Sequence, residues 1–448
     1  MCGILIHTEE FVDLQIKLTR GTSSLDLSHR GISYNSIKYK NLRLKHWVLP
    51  IQTANTDIKQ PIEVGYHKYF LFNGEIFNYY EFGDFDNDVD YLKEFFSHPL
   101  WYKNEEIQRW DGFWSIVMID GDKIYAFTDP LGKKQLYWNR YGISSEIKPL
   151  LYRSEINEKI FTDPFGEENV PVFKDVDRLK PNQIYVLRLN GNGEIVDPLI
   201  LLSDYYDLWS KEKYVKSSLY DLIDKSVKDR CINRYDKITI FLSGGLDSSI
   251  ILHHLVKYFN PGDLECLSIQ NNEDKYVKIL TEEYGLRVKW LNKNWGYYDD
   301  AVYHFEFPID YGSMLPQYHL FKNSTNSVVF TGDGADELFG GYTRSQTQDT
   351  QQYDIFTELP YFHHIRLDRM SMKWTKECRN PFLSHNIVRY ALRLKRKYRT
   401  NKEILKTTYE HKIPFEIINR KKLPLRIEDK GRSLKRCAKQ FRRTFEGP

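Results

Sequence analysis

An apolar run, a glycine-containing turn and a helical pattern follow one another between residues 238 and 259, and this succession constrains the fold more than any other feature. The run Ile238–Leu242 is suited to a strand buried on both faces. After the turn, apolar residues recur at helical spacing from Ile251 to Phe259. Further strands are predicted, separated by helical stretches, at 264–270, 287–291 and 328–330. Such alternation predicts a parallel sheet with helices on both faces.

The residues before about position 203 follow a different rhythm. Short apolar runs such as Tyr69–Phe72, Phe113–Met118 and Gln183–Leu187 alternate with turn residues such as Asn73-Gly74. Alternation on this scale is typical of strands joined by tight turns, without the longer helical patterns of the second half. The first half is therefore predicted to form an antiparallel, sheet-rich domain.

Size and composition narrow the class of protein. Hydrophobic residues make up 41% and charged residues 28% of the chain, as in ordinary soluble globular proteins. Because 448 residues are too many for one ordinary core, we expect two domains, 1–205 and 206–448, with residues 203–213 as the linker. The formal net charge of +3 argues against dedicated nucleic-acid binding. Two basic stretches, 389–406 and 430–443, are predicted to be solvated helix faces.

Cysteine usage and the absence of targeting patterns indicate a compartment. The five cysteines are scattered and lack C-x-x-C spacing, which predicts neither a disulfide framework nor a zinc site. No basic-then-apolar leader precedes Cys2, and no apolar run reaches about 18 residues. We therefore expect a cytoplasmic protein that is neither exported nor membrane-spanning.

The start Met1-Cys2-Gly3 offers a nucleophile. Once the initiator methionine is removed, Cys2 becomes the first residue, and its own α-amine can act as general base for its thiol. The following residues are apolar, so Cys2 is predicted to begin a buried strand. The structural alternative is a small buried cysteine at a chain end.

Two glycine-containing turns in the second half suggest a nucleotide site. The first, Ser243–Ser249, joins the predicted strand and helix, so its backbone N–H groups and the helix N-terminus can bind an anion. It lacks Walker spacing and matches the SGGxDS loop of the PP-loop ATP pyrophosphatases. In the second, Thr331–Tyr342, three carboxylates lie among four glycines at the predicted carboxyl edge of the sheet. Metal and substrate-amine binding is the predicted role of this second turn.

The chain as a whole resembles the class B glutamine-hydrolysing asparagine synthetases. The first half resembles their class II glutamine amidotransferase domain, and the second half their PP-loop synthetase domain. The motifs that carry the likeness are His29-Arg30-Gly31, Phe72–Tyr79, Asp129–Gly132, Ser145–Lys148, the two turns above, Glu377–Leu383 and Arg420-Lys421-Lys422. The resemblance implies an Ntn-hydrolase-type αββα antiparallel sandwich followed by a doubly wound parallel-sheet domain.

For the first half, the resemblance implies a glutaminase site. Cys2 would attack the glutamine amide to form a thioester, and the side chain of Asn73 and the backbone N–H of Gly74 would form the oxyanion hole. Glu75 and Asp88 would bind the glutamine α-ammonium group. The released ammonia would pass through an internal apolar tunnel to the second site.

For the second half, the resemblance implies activation of a carboxylate by ATP, with Mg²⁺ as the second cofactor. Asp247 and Asp336 would be Mg²⁺ ligands, and Lys422 would stabilise the adenylation transition state. Asp333 and Arg379 would contact the acceptor. The implied ATP-binding residues are Leu242, Ser243, Gly244, Gly245, Asp247, Ser248, Ser249, Ile269 and Gly332.

Each assignment has a structural alternative. Asn73-Gly74 is also a common hairpin turn. Asp88 alone could be an exposed loop carboxylate, Lys422 a solvated lysine, and Arg379 an ion-pair partner. The first half departs from the family pattern at Val48, which stands where an arginine normally binds the glutamine α-carboxylate. An isopropyl group cannot replace a bidentate guanidinium, so we expect weakened use of glutamine relative to free ammonia.

The resemblance implies amidation of L-aspartate to L-asparagine through β-aspartyl-AMP, releasing AMP and pyrophosphate. Ser384 replaces an aspartate of the family pattern, and the stretch after Ser268-Ile269 is short, which leaves other carboxylate acceptors open. These include sugar acids, peptides and intramolecular amide closure. A decayed binding protein and a ligase whose first domain is only a scaffold also remain open. The sequence leaves the oligomeric state undetermined, a homodimer being one option.

Overall fold

The computed structural model describes residues 2–11, 26–52, 58–162, 170–190, 194–196, 198–209, 218–232, 236–293, 296–420 and 433–446, with the backbone alone for 433–435. The chain divides into two compact units. The first comprises Met1–Asp207, Val302–Ile309 and Leu434–Pro448, and the second Leu208–Ala301 and Asp310–Ser433. The sequence analysis assigned both later segments of the first unit to the second domain.

Two six-stranded antiparallel sheets form the body of the first unit. One has the order β10-β8-β9-β1-β3-β2 and the other β12-β11-β7-β6-β5-β4. The strands are β1 Cys2–Thr8, β2 Ser33–Tyr39, β3 Leu42–Val48, β4 Ile62–Gly65, β5 Lys68–Ile76, β6 Gly112–Asp120, β7 Lys123–Thr128, β8 Tyr137–Asn139, β9 Gly142–Ser144, β10 Asp177–Arg178, β11 Gln183–Arg188 and β12 Leu199–Ser203.

The core of the first unit lies between these sheets. Ile4 and Leu44 from one sheet form a single buried cluster with Leu71, Val117 and Ala126 from the other. Side chains alternate between the two faces of a strand, so this face of β3 also carries His46 and Val48. Two packed antiparallel sheets confirm the predicted fold class of the first half.

Asn73-Gly74 does not form a turn. Both residues lie within β5, where Asn73 pairs with Ser115 and Gly74 with Trp114 of β6. A Cβ atom on Gly74 would lie 2.1 Å from the Phe113 carbonyl oxygen, so only glycine permits this close approach. The hairpin interpretation of this dipeptide, which local sequence favours, is therefore wrong.

The second unit contains a five-stranded parallel sheet in the order β15-β14-β13-β16-β17. The strands are β13 Ile238–Phe241, β14 Leu264–Ile269, β15 Val288–Leu291, β16 Val328–Phe330 and β17 Glu377–Arg379. The first four confirm the strands predicted from apolar runs. The fifth was not predicted, because three residues with charged ends give no apolar run.

Helices cover both units. Their bounds are α1 Asp88–Ser97, α2 Lys159–Thr162, α3 Leu219–Arg230, α4 Leu246–Leu255, α5 Asp274–Glu283, α6 Tyr298–Phe305, α7 Tyr311–Asn323, α8 Ala335–Leu338, α9 Thr343–Thr347, α10 Gln351–Tyr353, α11 His364–Met372, α12 His385–Arg393, α13 Arg396–Arg399, α14 Glu403–Tyr409, α15 Phe415–Ile418 and α16 Ser433–Phe445. A π-helical segment, Asp354–His363, joins α10 to α11. Within the described ranges, no helix is both long enough and apolar enough to cross a membrane.

Two local expectations were wrong, and one structural alternative is excluded. Helix α4 ends at Leu255, so Phe259 lies beyond it. The linker cannot begin at residue 203, because Tyr205 and Tyr206 are buried and their hydroxyls donate to backbone carbonyls of the first unit. Asp88 is the first residue of α1 and is buried, so it is not an exposed loop carboxylate.

Candidate functional site

Cys2 begins β1 and is buried on the inner side of the first unit. Burial acts to raise the pKa of its thiol, but in the chain that retains Met1 the positive charge of the Met1 terminal amine and the neighbouring His46 outweigh burial and lower the pKa from 9.0 to about 6. The Nε2–H of His46 donates to the Phe72 carbonyl at 3.0 Å, which orients the ring. A thiolate at Cys2 is therefore favoured near neutral pH.

The lowered pKa gives a direct prediction. A thiol is deprotonated above its pKa, so in the chain that retains Met1 the rate of alkylation of Cys2 by iodoacetamide should rise with pH and level off with a midpoint at about 6. Mass spectrometry of the labelled chain measures this rate. Cys266 is the internal control, since burial raises its pKa to about 12 and keeps it protonated. A midpoint near 9.0, the ordinary value, would contradict the prediction.

Asn73 lies directly beside the nucleophile. Its Oδ1 accepts a hydrogen bond from the backbone nitrogen of Cys2 at 3.0 Å, and its Nδ2 lies 3.4 Å from Ser115 Oγ. After removal of Met1 this backbone nitrogen would be the α-amine, so Asn73 is placed to hold it. The structure thus brings together Cys2, Asn73 and Gly74, the three residues predicted for thioester chemistry.

Glu75 and Asp88 also lie close together, although Glu75 belongs to strand β5 and Asp88 to helix α1. Gln52 Nε2 contacts Glu75 Oε2 and is 3.5 Å from Asp88 Oδ2. Asp88 Oδ2 additionally accepts the backbone N–H of Ile76 at 3.0 Å. One nitrogen donor, Gln52 Nε2, already contacts both carboxylates, and their predicted role in binding an α-ammonium group stays a prediction.

A pocket of about 400 Å³, including its open mouth, connects these groups. Val48 pairs with Cys2 in the β1–β3 register and lines the pocket. The remaining described lining residues are Leu49, Pro50, Ile51, Gln52, Ile58, Gln60, Phe72, Gly74, Glu75, Asn87, Asp88 and Val89. The described lining therefore combines apolar walls with two carboxylates.

The His-Arg-Gly and Ser-Glu-Ile-Lys motifs form the support of the nucleophile strand. Arg30 Nε donates to the Cys2 carbonyl at 3.1 Å, and its Nη1 lies 2.9 Å from Glu146 Oε1. His29 and Lys148 also contact Glu146, at 2.8 and 2.9 Å. Burial acts to raise the pKa of Glu146, but the neighbouring side chains of His29, Lys148 and Arg30 hold it well below its ordinary value. The carboxylate is therefore ionised at neutral pH and anchors Arg30.

Removing this buried charge should destabilise the first unit. Glu146→Gln removes the carboxylate that Arg30 and Lys148 contact in the buried interior, so we expect the free energy of unfolding to fall by about 3–5 kcal/mol. Urea denaturation followed by tryptophan fluorescence measures the change. The control is Glu155→Gln, because the Glu155–Lys174 pair is exposed and its loss should have no measurable effect. Equal stability of both variants would contradict a supporting role.

In the second unit, Ser243–Ser249 joins β13 to α4 as predicted. Gly245 is the N-cap of α4, so the loop presents the helix N-terminus at the carboxyl edge of the sheet. The second turn packs against it: a Cβ on Gly332 would lie 2.8 Å from Asp247 Cβ and 2.9 Å from Ser248 N. Only glycine at position 332 lets the two turns meet.

Asp247 and Asp336, the two predicted metal ligands, converge on one cation. Lys402 Nζ lies 2.6 Å from Asp247 Oδ2 and 2.6 Å from Asp336 Oδ1. Burial acts to lower the pKa of Lys402, but the two carboxylates raise it above its ordinary value, so the ammonium stays charged. Carboxylate oxygens are ligands that Mg²⁺ prefers, and the assignment of these two aspartates as its ligands stays a prediction.

The other predicted residues of the second unit have the following positions. Leu242 and Ile269 are buried at the ends of β13 and β14. Asp333 Oδ2 accepts from Thr331 Oγ1 at 2.5 Å. Arg379 is buried in an ion pair with Glu377, which matches its structural alternative, so its role in substrate binding stays a prediction.

Lys422 lies outside the described residues, but the arginine of its motif is well placed. The loop Ser243–Ser249 is called the phosphate loop from here on, after its predicted role. Arg420 Nη1 donates to the carbonyl of Gly244 in this loop at 2.6 Å, and its Nη2 pairs with Glu273 at 2.6 Å. The chain thus reaches the phosphate loop two residues before Lys422. The catalytic role assigned to Lys422 stays a prediction.

Both halves of the chain match known protein families. Residues 1–195 match the glutamine amidotransferase domain family. Residues 218–360 and 343–444 match the asparagine synthase family. The chain belongs to the asparagine synthase family.

Relatives in the asparagine synthase family are similar over most of the chain. The glutamine-hydrolyzing asparagine synthetase of Mesocricetus auratus is 26% identical over 496 residues, covering 94% of this chain and 83% of that protein. The corresponding protein of Bos taurus is 26% identical with the same coverage. A solved structure titled as the allosteric regulatory enzyme of purine biosynthesis overlaps with a TM-score of 0.31 at 10% identity, covering 65% of this chain and 80% of that one. An overlap that low bears on neither fold nor function.

Two residues of this asparagine synthase family member were not found by sequence reasoning. Gln52 bridges the two carboxylates of the first pocket, and Lys402 bridges Asp247 and Asp336. Lys402 is 155 residues from Asp247, so local spacing carried no signal. For Gln52 a signal was available. It lies four residues after Val48, and Val48 was already aligned with the arginine of the family pattern that binds the glutamine α-carboxylate.

Proposed function

We propose that this chain makes L-asparagine from L-aspartate, using ATP and ammonia released from glutamine. The proposal depends mainly on one observation: the activated Cys2 thiol shares a pocket with Glu75 and Asp88 in a chain that belongs to the asparagine synthase family. The products are L-asparagine, AMP, pyrophosphate and L-glutamate. Both relatives described above are named for the same glutamine-hydrolyzing synthesis.

In the proposed glutaminase reaction, Met1 is removed and the α-amine of Cys2 accepts the thiol proton. The thiolate attacks the side-chain amide carbonyl, and the backbone N–H of Gly74 and the Asn73 amide stabilise the oxyanion. Ammonia leaves with the proton, and water then hydrolyses the thioester to glutamate. The contact between Asn73 and the Cys2 nitrogen supports this assignment, because it holds the proposed base beside the thiol.

In the proposed adenylation reaction, the phosphate loop binds ATP through the backbone of Ser243–Ser249 and the N-terminus of α4. The aspartate β-carboxylate attacks the α-phosphate, the bond between the α- and β-phosphates breaks, and pyrophosphate leaves, giving β-aspartyl-AMP. Ammonia then attacks the acyl carbon and displaces AMP. Asp247 and Asp336 would hold Mg²⁺, which when bound neutralises charge on the triphosphate. Lys402 adds a buried positive charge beside the same two carboxylates. Lys422 is proposed to stabilise the transition state, supported by the anchoring of Arg420 on the loop.

The decisive experiment measures pyrophosphate release with ATP and Mg²⁺, using aspartate as the acceptor and glutamine or ammonium as the donor. Release that requires aspartate, with asparagine as the product, is the expected result. Release with a different carboxylate from a panel of sugar acids and peptides would contradict the acceptor assignment but preserve the chemistry. Absence of release with every acceptor would contradict the whole proposal.

Two further assignments belong to this proposal, the location and the assembly of the chain. The cytoplasm is the proposed location, supported by scattered cysteines without disulfide spacing. A homodimer is the proposed assembly, and light scattering of the purified chain tests it through the molar mass. A mass equal to the monomer's 53.5 kDa would contradict it.

A further inference from the structure

The glutaminase pocket has an unusual charge distribution for a site that binds a free amino acid. Such a ligand carries both an α-ammonium and an α-carboxylate. The described lining contains Glu75 and Asp88 and no lysine or arginine. The carboxylates are suited to the ammonium group, whereas within that lining an α-carboxylate would meet like charges and no side-chain cation.

Val48 begins an apolar wall of the pocket directly beside Cys2. It is buried, it pairs with Cys2 across β1 and β3, and it is followed by Leu49, Pro50 and Ile51. An ionised carboxylate against this wall would lose hydration without a partner, which is unfavourable. A neutral amide at the same position loses much less, because it carries no net charge.

Gln52 supplies an independent observation on what binds between the carboxylates. Its neutral carboxamide donates from Nε2 toward both Glu75 and Asp88. Both acidic side chains are buried. The site between them therefore attracts an N–H donor, and a cationic α-ammonium is a stronger donor than this neutral amide. Recognition in this pocket is thus directed to the amino end of the donor.

We propose that the pocket accepts glutamine whose α-carboxyl group is in amide linkage, as in the first residue of a peptide, and deamidates its side chain. The Cys2 thiolate forms a thioester with the side-chain carbonyl carbon, the bond from that carbon to nitrogen breaks, and ammonia leaves with the proton. Water then hydrolyses the thioester and leaves an N-terminal glutamate. This inference rests on the thiol-dependent glutaminase reaction proposed above.

The experiment measures ammonia release by the full chain from three donors: L-glutamine, L-glutamine α-amide and the dipeptide Gln-Gly. The expected result is a kcat/KM for the α-amide and the dipeptide that equals or exceeds the value for glutamine. N-acetylglutamine, which lacks the ammonium group, should release no ammonia. Wild-type preference for glutamine over its α-amide by about tenfold or more would overturn the inference.

A substitution at Val48 tests the role of the apolar wall separately from a general loss of stability or activity. Val48→Arg supplies a guanidinium for a free carboxylate, so it should raise kcat/KM for glutamine about tenfold or more relative to the α-amide. The matched control Val48→Met changes size without charge and should leave this ratio as in wild type. An unchanged ratio in Val48→Arg would contradict the assigned role of Val48. If that variant does not fold, the wild-type ratio still decides.

Failure of this inference can be distinguished from failure of the proposed function. Ammonia from glutamine but not from its blocked forms would overturn the inference and leave asparagine synthesis intact. No ammonia from any donor would overturn both the inference and the glutaminase reaction. Ammonium-dependent asparagine formation, measured in the same preparation, reports separately on the synthetase reaction.

Discussion

Replacing Cys2 with alanine is expected to lower ammonia release from glutamine by about a thousandfold or more, because the variant lacks the atom that forms the thioester. Pyrophosphate release with ATP, aspartate and ammonium should be unchanged, because the residues proposed for adenylation all belong to the second half of the chain. The two reactions would then be chemically separable. Both are measured on the same purified preparation, with the ammonia and pyrophosphate assays run in parallel.

The matched control for this substitution is Cys231→Ala. Burial raises the pKa of Cys231 to about 12, so this thiol is protonated at neutral pH and should contribute to neither assay. Residual glutaminase activity in Cys2→Ala above about one tenth of wild type would contradict the nucleophile assignment. Loss of ammonium-dependent release as well would contradict the separation of the two reactions.

Asp247→Asn should have the second large effect, a fall in aspartate-dependent pyrophosphate release of about 100- to 1,000-fold, corresponding to roughly 3–4 kcal/mol of transition-state stabilisation. The substitution keeps the size of the side chain and removes one of the two negative charges that face Lys402 Nζ. With that charge gone, the pair can no longer hold a divalent cation against the triphosphate. Glutaminase activity should be unaffected.

The control is Asp263→Asn, the same exchange at a half-buried position in the turn before β14. It should leave both reactions unchanged. A second measurement strengthens the test: raising the Mg²⁺ concentration should partly restore Asp247→Asn if the defect is in metal binding. Activity of Asp247→Asn equal to wild type would remove Asp247 from the proposed ligand set.

Four strands of the second unit were predicted correctly because each coincides with a mostly apolar stretch, which is a local property of the sequence. The runs that became β13, β14, β15 and β16 needed no knowledge of their partners. Strand β17 was missed, since its three residues include Glu377 and Arg379, which neutralise each other only once both are buried. Prediction failed where a residue's environment depends on a distant partner.

Asn73-Gly74 shows the same limit in the first half. Local preference favours a turn for this dipeptide, yet it lies mid-strand because β6 pairs with it along its length. The close approach of the Phe113 carbonyl explains the glycine, and the bond to the Cys2 nitrogen accounts for the asparagine. Both reasons are tertiary contacts.

The sequence by itself determined the two fold classes and the reactive groups, because apolar periodicity, glycine turns and a cysteine after the first residue are local properties. Only the tertiary structure decided which charges face each other. Gln52 between Glu75 and Asp88, Lys402 between Asp247 and Asp336, and Glu146 behind Arg30 all join residues distant in the chain. The strength of such pairs depends on distance and burial, and both quantities exist only after folding.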